Sequence, residues 1–93
     1  DDFYEAIFYV NEVEYIAKVS DEEGLTGYKK NLKLDELPEI IKVECEQTGE
    51  IMNAIAIHTK SSVLYEVIIR DKEFNRTLLL LSKNGELLES SSI

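Results

Sequence analysis

Apolar and polar positions alternate along most of the chain with the two-residue period of a β-strand. Over 13–20, Val13, Tyr15, Ala17 and Val19 alternate with Glu14, Ile16, Lys18 and Ser20, which predicts a half-buried antiparallel strand. The stretch 3–10 is richer, with Phe3, Ile7 and Tyr9 on one side and Tyr4, Ala6, Phe8 and Val10 on the other. A strand apolar on both sides is covered twice or meets a partner. Asn11-Glu12 predicts the turn between these two strands, and the glycine-ended run 21–24 predicts the next. A third strand follows at 25–34, where Lys29, Lys30 and Lys33 suit an exposed edge.

The period then changes. Leu37, Ile40, Ile41 and Cys45 recur at helical spacing, so 35–47 predicts an amphipathic helix. Asp35 is its expected N-cap, Pro38 falls in its first turn, and Gly49 follows its end. Strands resume at 51–59, 63–71, 74–81 and 86–89. Ile51, Ile55 and Ile57 are expected on one side of the first of these, and Met52, Ala54, Ala56 and His58 on the other. The Asn84-Gly85 pair marks the last hairpin, and 90–92 is a polar tail expected to fray.

The pattern repeats. Residues 3–24 align without a gap on 64–85, at an offset of 61 positions. Tyr4 falls on Tyr65, Glu5 on Glu66, Ile7 on Ile68, Val13 on Phe74, Val19 on Leu80 and Gly24 on Gly85. The expected fold class is therefore α+β: antiparallel meanders with one helix packed on a face. A partial repeat, 1–34, precedes a complete helix-plus-four-strand repeat, 35–93, in a single domain. By the same offset, the helix and first strand of the first repeat belong before Asp1. Either they stand upstream of this sequence or that repeat is incomplete. In the second case the helix-facing surface around Tyr4 and Phe8 must be covered by sheet continuation, by swapping or by dimerisation.

Charge narrows the partners. Ten basic and nineteen acidic residues leave a formal net charge of -9. That balance opposes nucleic acid, which needs clustered Lys and Arg, and anionic lipid. It suits ordinary solubility or steering toward a basic partner. No apolar run is long enough to insert into a membrane. The single cysteine, Cys45, forms no intramolecular disulfide, and its place on the helix stripe makes it a small core hydrophobe. Its neighbours Glu44 and Glu46 oppose a reactive thiolate.

A search for catalytic chemistry returns no constellation, so the chain is expected not to be an enzyme. His58 has no second His or Cys at ligand spacing and reads as a surface or interface residue. The acidic turn 21–24 lacks the calcium-loop spacing, so neither a metal nor a cofactor is expected. Glu5 and Glu66 are equivalent in the two repeats. They are either solvent-facing residues with cross-strand partners or a recognition site for a basic group. The aromatics concentrate early, and Tyr4, Tyr9, Tyr15 and Tyr28 are the expected partner contacts, with Glu5 and Glu66 second. Core packing and cross-strand pairing are the alternative use of the same rings.

The run L-P-E-I-I at 37–41, then Ile51 with Ala54, Tyr65-Glu66-Val67, and K-N-G-E-L-L at 83–88 resembles the PepSY-like family. This is the β-lactamase-inhibitor-protein-like (BLIP-like) group of small envelope proteins of Bacteroides-type bacteria. The likeness runs from Leu37 to Glu89. It implies tandem α+β units forming an antiparallel sheet with helices on one side. It implies export to the periplasm or cell surface, and non-catalytic, inhibitor-like binding that restrains peptidases or other enzymes. No catalytic residue carries over. The lack of a first helix departs from the family pattern. The expected function is thus a periplasmic or secreted protein-binding module that uses its sheet face. The alternative is a self-associating structural or assembly domain of a larger envelope protein.

Overall fold

The computed structural model describes residues 3–20 and 24–93. The turn expected at 21–24 lies, but for Gly24, outside them. The strands are β1 (Phe3–Val10), β2 (Val13–Ser20), β3 (Gly24–Leu32), β4 (Glu50–Thr59), β5 (Val63–Arg70), β6 (Arg76–Ser82) and β7 (Leu87–Ser92). Among the described residues each pairs antiparallel with its neighbour in sequence, in the order β1-β2-β3-β4-β5-β6-β7. The two expected meanders are one continuous sheet, joined at β3–β4, where Tyr28 lies opposite His58 and Leu32 opposite Ala54.

That junction corrects the reading of the third strand as an edge. The crossover after β3 folds back over the sheet, so β4 returns alongside β3. The strand's lysines divide between the two sides. Lys29 lies opposite Ile57 and Lys30 opposite Ala56, while Lys33 falls beyond the strand.

The crossover holds a 3-10 turn, Leu34–Glu36, and α1, Glu39–Glu46. The helix is shorter than the expected 35–47. Leu37 is extended (φ -74°, ψ 131°), as the residue before a proline prefers, and Pro38 is the N-cap. Asp35 therefore sits in the 3-10 turn and caps nothing on α1. The helix ends where the Thr48 and Gly49 amides both donate to the Cys45 carbonyl, at 3.1 and 3.3 Å.

Leu37, Ile41 and Cys45 are buried against Ala54, Val67, Ile69, Leu79 and Leu81. Ile40, expected on the same stripe, is 56% exposed. A two-turn helix meets the sheet along one line, and Ile40 stands off that line over Gly85.

Cross-strand partners share a side of the sheet. The helix side carries the rows Ala54–Val67–Leu79 and Ala56–Tyr65–Leu81. In β4 the register shifts between Ile51 and Asn53. This bulge at Met52 places Ile51 opposite Ile69 on the helix side and leaves Ile55 and Ile57 on the other. The expectation that Ile51, Ile55 and Ile57 share a side fails for that reason.

The hairpins differ too. The first closes at Val10 opposite Val13. Asn11 and Glu12, at φ 51° and 69°, form the left-handed two-residue turn that matches strand twist. The other closes at Arg70 opposite Arg76 around a longer loop, so Phe74 is a loop residue rather than the start of a strand. The gapless alignment consequently slips by one position in the second strand of each hairpin. Val19 lies on the helix side, whereas Leu80 lies beside Glu66 on the other. Finally, 90–92 does not fray. Ser90, Ser91 and Ser92 pair with Leu79, Leu78 and Thr77, because ladder pairing uses backbone and needs no apolar side chain.

Candidate functional site

The helix side has two fields. α1 rests on β4 and β5. Beyond it, across β1 to β4, runs a row of four rings. Phe8 stacks on Tyr15 at 5.2 Å with 9° between planes. Tyr15 meets Tyr28 at 5.9 Å, tilted by 46°. Tyr28 stacks on His58 at 4.5 Å and 14°. Register builds the row: Phe8 lies opposite Tyr15, Tyr28 lies opposite His58, and Tyr15 and Tyr28 are diagonal neighbours. Stacking joins the rings at both ends of the row, and a tilted contact joins Tyr15 to Tyr28 in its middle. Phe8 remains 43% exposed and Tyr4, on the same side of β1, 53%.

Lys30 ties this row to the crossover. Its Nζ lies 5.9 Å from the Tyr15 ring centroid and 3.6 Å from the Glu36 carboxylate. The same carboxylate accepts a hydrogen bond from the Lys33 amide at 2.9 Å. That amide first, and then the lysine charges, hold the Glu36 carboxyl below its usual range.

Of the six residues singled out in the sequence, Tyr4, Tyr15 and Tyr28 share the helix side. Tyr9, Glu5 and Glu66 occupy the other, so no single patch gathers all six. Tyr9 is exposed and its hydroxyl donates to Glu14 Oε2 at 3.0 Å. That hydrogen bond and the carboxylate charge push the phenol above its usual range. Glu5 lies opposite Lys18, and Glu66 lies between Ile55 and Leu80. Glu5 and Glu66 share a face but stand four strands apart, roughly 19 Å at ordinary strand spacing, too far to grip one small group.

Also on this side is a hollow of about 450 Å³ lined by Glu5, Ile16, Lys18, Gly27, Lys29 and Ile57. Gly27 lets the backbones close there, since a Cβ at that position would come within 2.5 Å of the His58 carbonyl oxygen.

Of the row's four rings, the sequence singled out Tyr15 and Tyr28 as contacts and did not name Phe8 or His58 among them. The alternation did put Phe8 on the side of Tyr4. His58 had no such signal, because its stacking depends on the β3–β4 register. Among the described residues no group of three or more His, Cys, Asp or Glu is placed to hold a metal ion, and no helix is long and apolar enough to cross a membrane.

The sequence matches no family model and no curated protein. Solved crystal structures do match the fold. A DUF2874 family protein from Bacteroides uniformis aligns at a TM-score of 0.84 and 13% identity, covering 97% of this chain and 70% of that one. A protein from Bacteroides eggerthii, provisionally described as periplasmic, aligns at 0.86 and 15%, covering 98% and 70%. A BLIP-like protein from Bacteroides fragilis aligns at 0.77 and 13%, covering 98% and 68%. The chain therefore has the BLIP-like fold.

Proposed function

We propose that this chain is a non-catalytic protein-binding module of the bacterial periplasm or cell surface. The partner docks on the helix side of β1–β3, over Tyr4, Phe8, Tyr15 and Tyr28. The observation that carries the reading is the ring row beside α1: the helix covers one half of this side, and aromatics cover the other, Tyr4 and Phe8 about half exposed and Tyr15 and Tyr28 partly buried. Tyrosine and phenylalanine edges with polar tips suit a protein surface better than a small ligand. The net charge of -9 favours a basic partner. The provisional periplasmic description of the B. eggerthii neighbour supports the location, and the BLIP-like fold supports inhibitor-like binding. Tyr9, Glu5 and Glu66 form a second contact set on the opposite face.

The test is capture from a cell-envelope extract, with wild type and Phe8→Ala/Tyr15→Ala as baits and circular dichroism confirming that both are folded. Phe8, 43% exposed, and the partly buried Tyr15 together have about 150 Å² left to bury on docking, on the order of 4 kcal/mol at about 25 cal/mol per Å². The variant is expected to lose at least a tenfold share of one dominant protein. Equal capture by both baits would place the interface elsewhere.

One observation favours assembly as a second reading. β1 is an edge strand, and Tyr4, Ile7, Phe8, Tyr9 and Val10 are all exposed along it. Such an edge pairs readily with another strand. Capture of only its own copies, with a dimer in sedimentation, would support that reading.

A further inference from the structure

Phe74 sits where a phenylalanine does nothing for folding. It is 72% exposed, at the end of the β5–β6 loop, with φ at 68°. That left-handed region favours glycine and tolerates asparagine, and a bulky side chain there is an outlier. The ring takes no part in the buried core. Its described contact is the Arg70 guanidinium, 5.3 Å from the ring centroid. An exposed pair of that kind offsets less than the strained backbone costs.

The loop around it is stiff. Asp71 O accepts from Phe74 N at 3.0 Å, and Asp71 N donates to Asn75 O at 3.0 Å. Asp71 Oδ1 accepts from the Glu73 and Asn75 amides at 2.9 and 3.0 Å, and Oδ2 from Asn75 Nδ2 at 3.3 Å. Those amides hold the Asp71 carboxyl below its usual range. A strained, exposed aromatic on a hydrogen-bonded loop is the anatomy of an interface anchor, since the backbone's ordering cost is met before the partner arrives.

The surroundings define the partner. A hollow of about 670 Å³ beside the ring is lined by Glu46, Glu50, Arg70, Asp71, Lys72, Glu73 and Phe74, among others, four carboxylates against two cations. Arg70 is held by Glu50 at 2.9 Å. Asp71 is engaged within the loop, so Glu46 and Glu73 are the carboxylates that face a newcomer.

We propose that Phe74 anchors a basic segment of a partner protein, an apolar side chain packing on the ring while Lys or Arg meets Glu46 and Glu73. This rests on the protein-binding reading but uses the loop end of the sheet rather than the ring row on β1–β3.

The experiment separates the two surfaces. A phage library of random 12-residue peptides is selected on the folded chain. Enriched peptides are then measured against wild type, Phe74→Gly, Phe74→Asn and Phe8→Ala/Tyr15→Ala. Peptides with net positive charge are expected to bind wild type and Phe8→Ala/Tyr15→Ala alike and to weaken at least tenfold on both Phe74 variants, with affinity falling as salt rises. Phe74→Gly should at the same time raise Tm by about 3 °C, because glycine relieves the left-handed strain. Binding that falls while stability rises cannot come from unfolding. Peptides that bind the Phe74 variants unchanged would overturn the proposal, whether or not the Phe8→Ala/Tyr15→Ala variant loses them. So would enrichment without a positive charge bias, or no enrichment at all.

Discussion

Cys45 faces the sheet from the last turn of α1 and is fully buried. Burial first, and then the charges of Glu44 and Glu46, push its thiol from 9.0 up to about 11. Below pH 9 the folded and unfolded states both hold the proton. Between pH 9 and about 11 the folded state keeps it while the unfolded state releases it, so stability falls as pH rises through that window. Urea unfolding from pH 8 to 11 should therefore show an alkaline decline in wild type that is shallower in Cys45→Ala. Parallel profiles would show that the thiol does not titrate as its burial demands. The role of Cys45 was legible beforehand, because i, i+4 spacing from Ile41 and two flanking glutamates are local facts. Phe74 was not legible. The gapless repeat set it against Val13, and only the length of the β5–β6 loop moves it out of the strand and into left-handed backbone.

At the scale of elements, periodicity found the strands and the helix, and the misses are local breaks in period. Pro38 and the extended Leu37 split the expected helix, and a bulge at Met52 turns Ile51 back toward the core. Neither break changes hydrophobicity, so neither shows in a pattern of apolar positions. The β3–β4 seam is the element that builds the ring row, and Gly27 sets how close its strands come. A Cβ there would lie 2.5 Å from the His58 carbonyl oxygen and 3.5 Å from the Thr59 Cα, both backbone atoms that cannot swing aside. Gly27→Ala must push β3 and β4 apart at the residue pair next to the Tyr28–His58 stack. The expected cost is about 1–3 kcal/mol, the range for overpacking against immovable neighbours. The stack's ring-current shifts on the His58 protons should shrink with it. Urea titration and proton NMR of the variant check the two consequences together. A stable variant with wild-type His58 shifts would mean that the seam absorbs the methyl elsewhere.

The whole molecule is an elongated sheet, 45 × 28 × 24 Å, held from one side by a two-turn helix near its C-terminal half. Its continuity was implied by the family resemblance and not by the pattern of residues, because strand pairing across a helical crossover leaves no local mark. The sequence left open what covers the surface around Tyr4 and Phe8. Within the described residues burial runs as a gradient along the sheet. Val67 and Leu81 are fully buried beneath α1, whereas every residue from 4 to 10 on β1 is exposed. Amide protection follows burial and contact density, so opening should begin at β1 and spread inward. Hydrogen exchange is expected to be slowest over 63–70 and 76–82 and fastest over 4–10, with β2 and β3 between. A partner docked on the ring row would slow the β1–β3 amides and leave the α1-covered strands almost unchanged. A partner anchored at Phe74 would instead protect 70–76 and the end of α1. Uniform exchange along the chain would show that the seven strands open as one unit, and that the bare half of the sheet is stable without a partner.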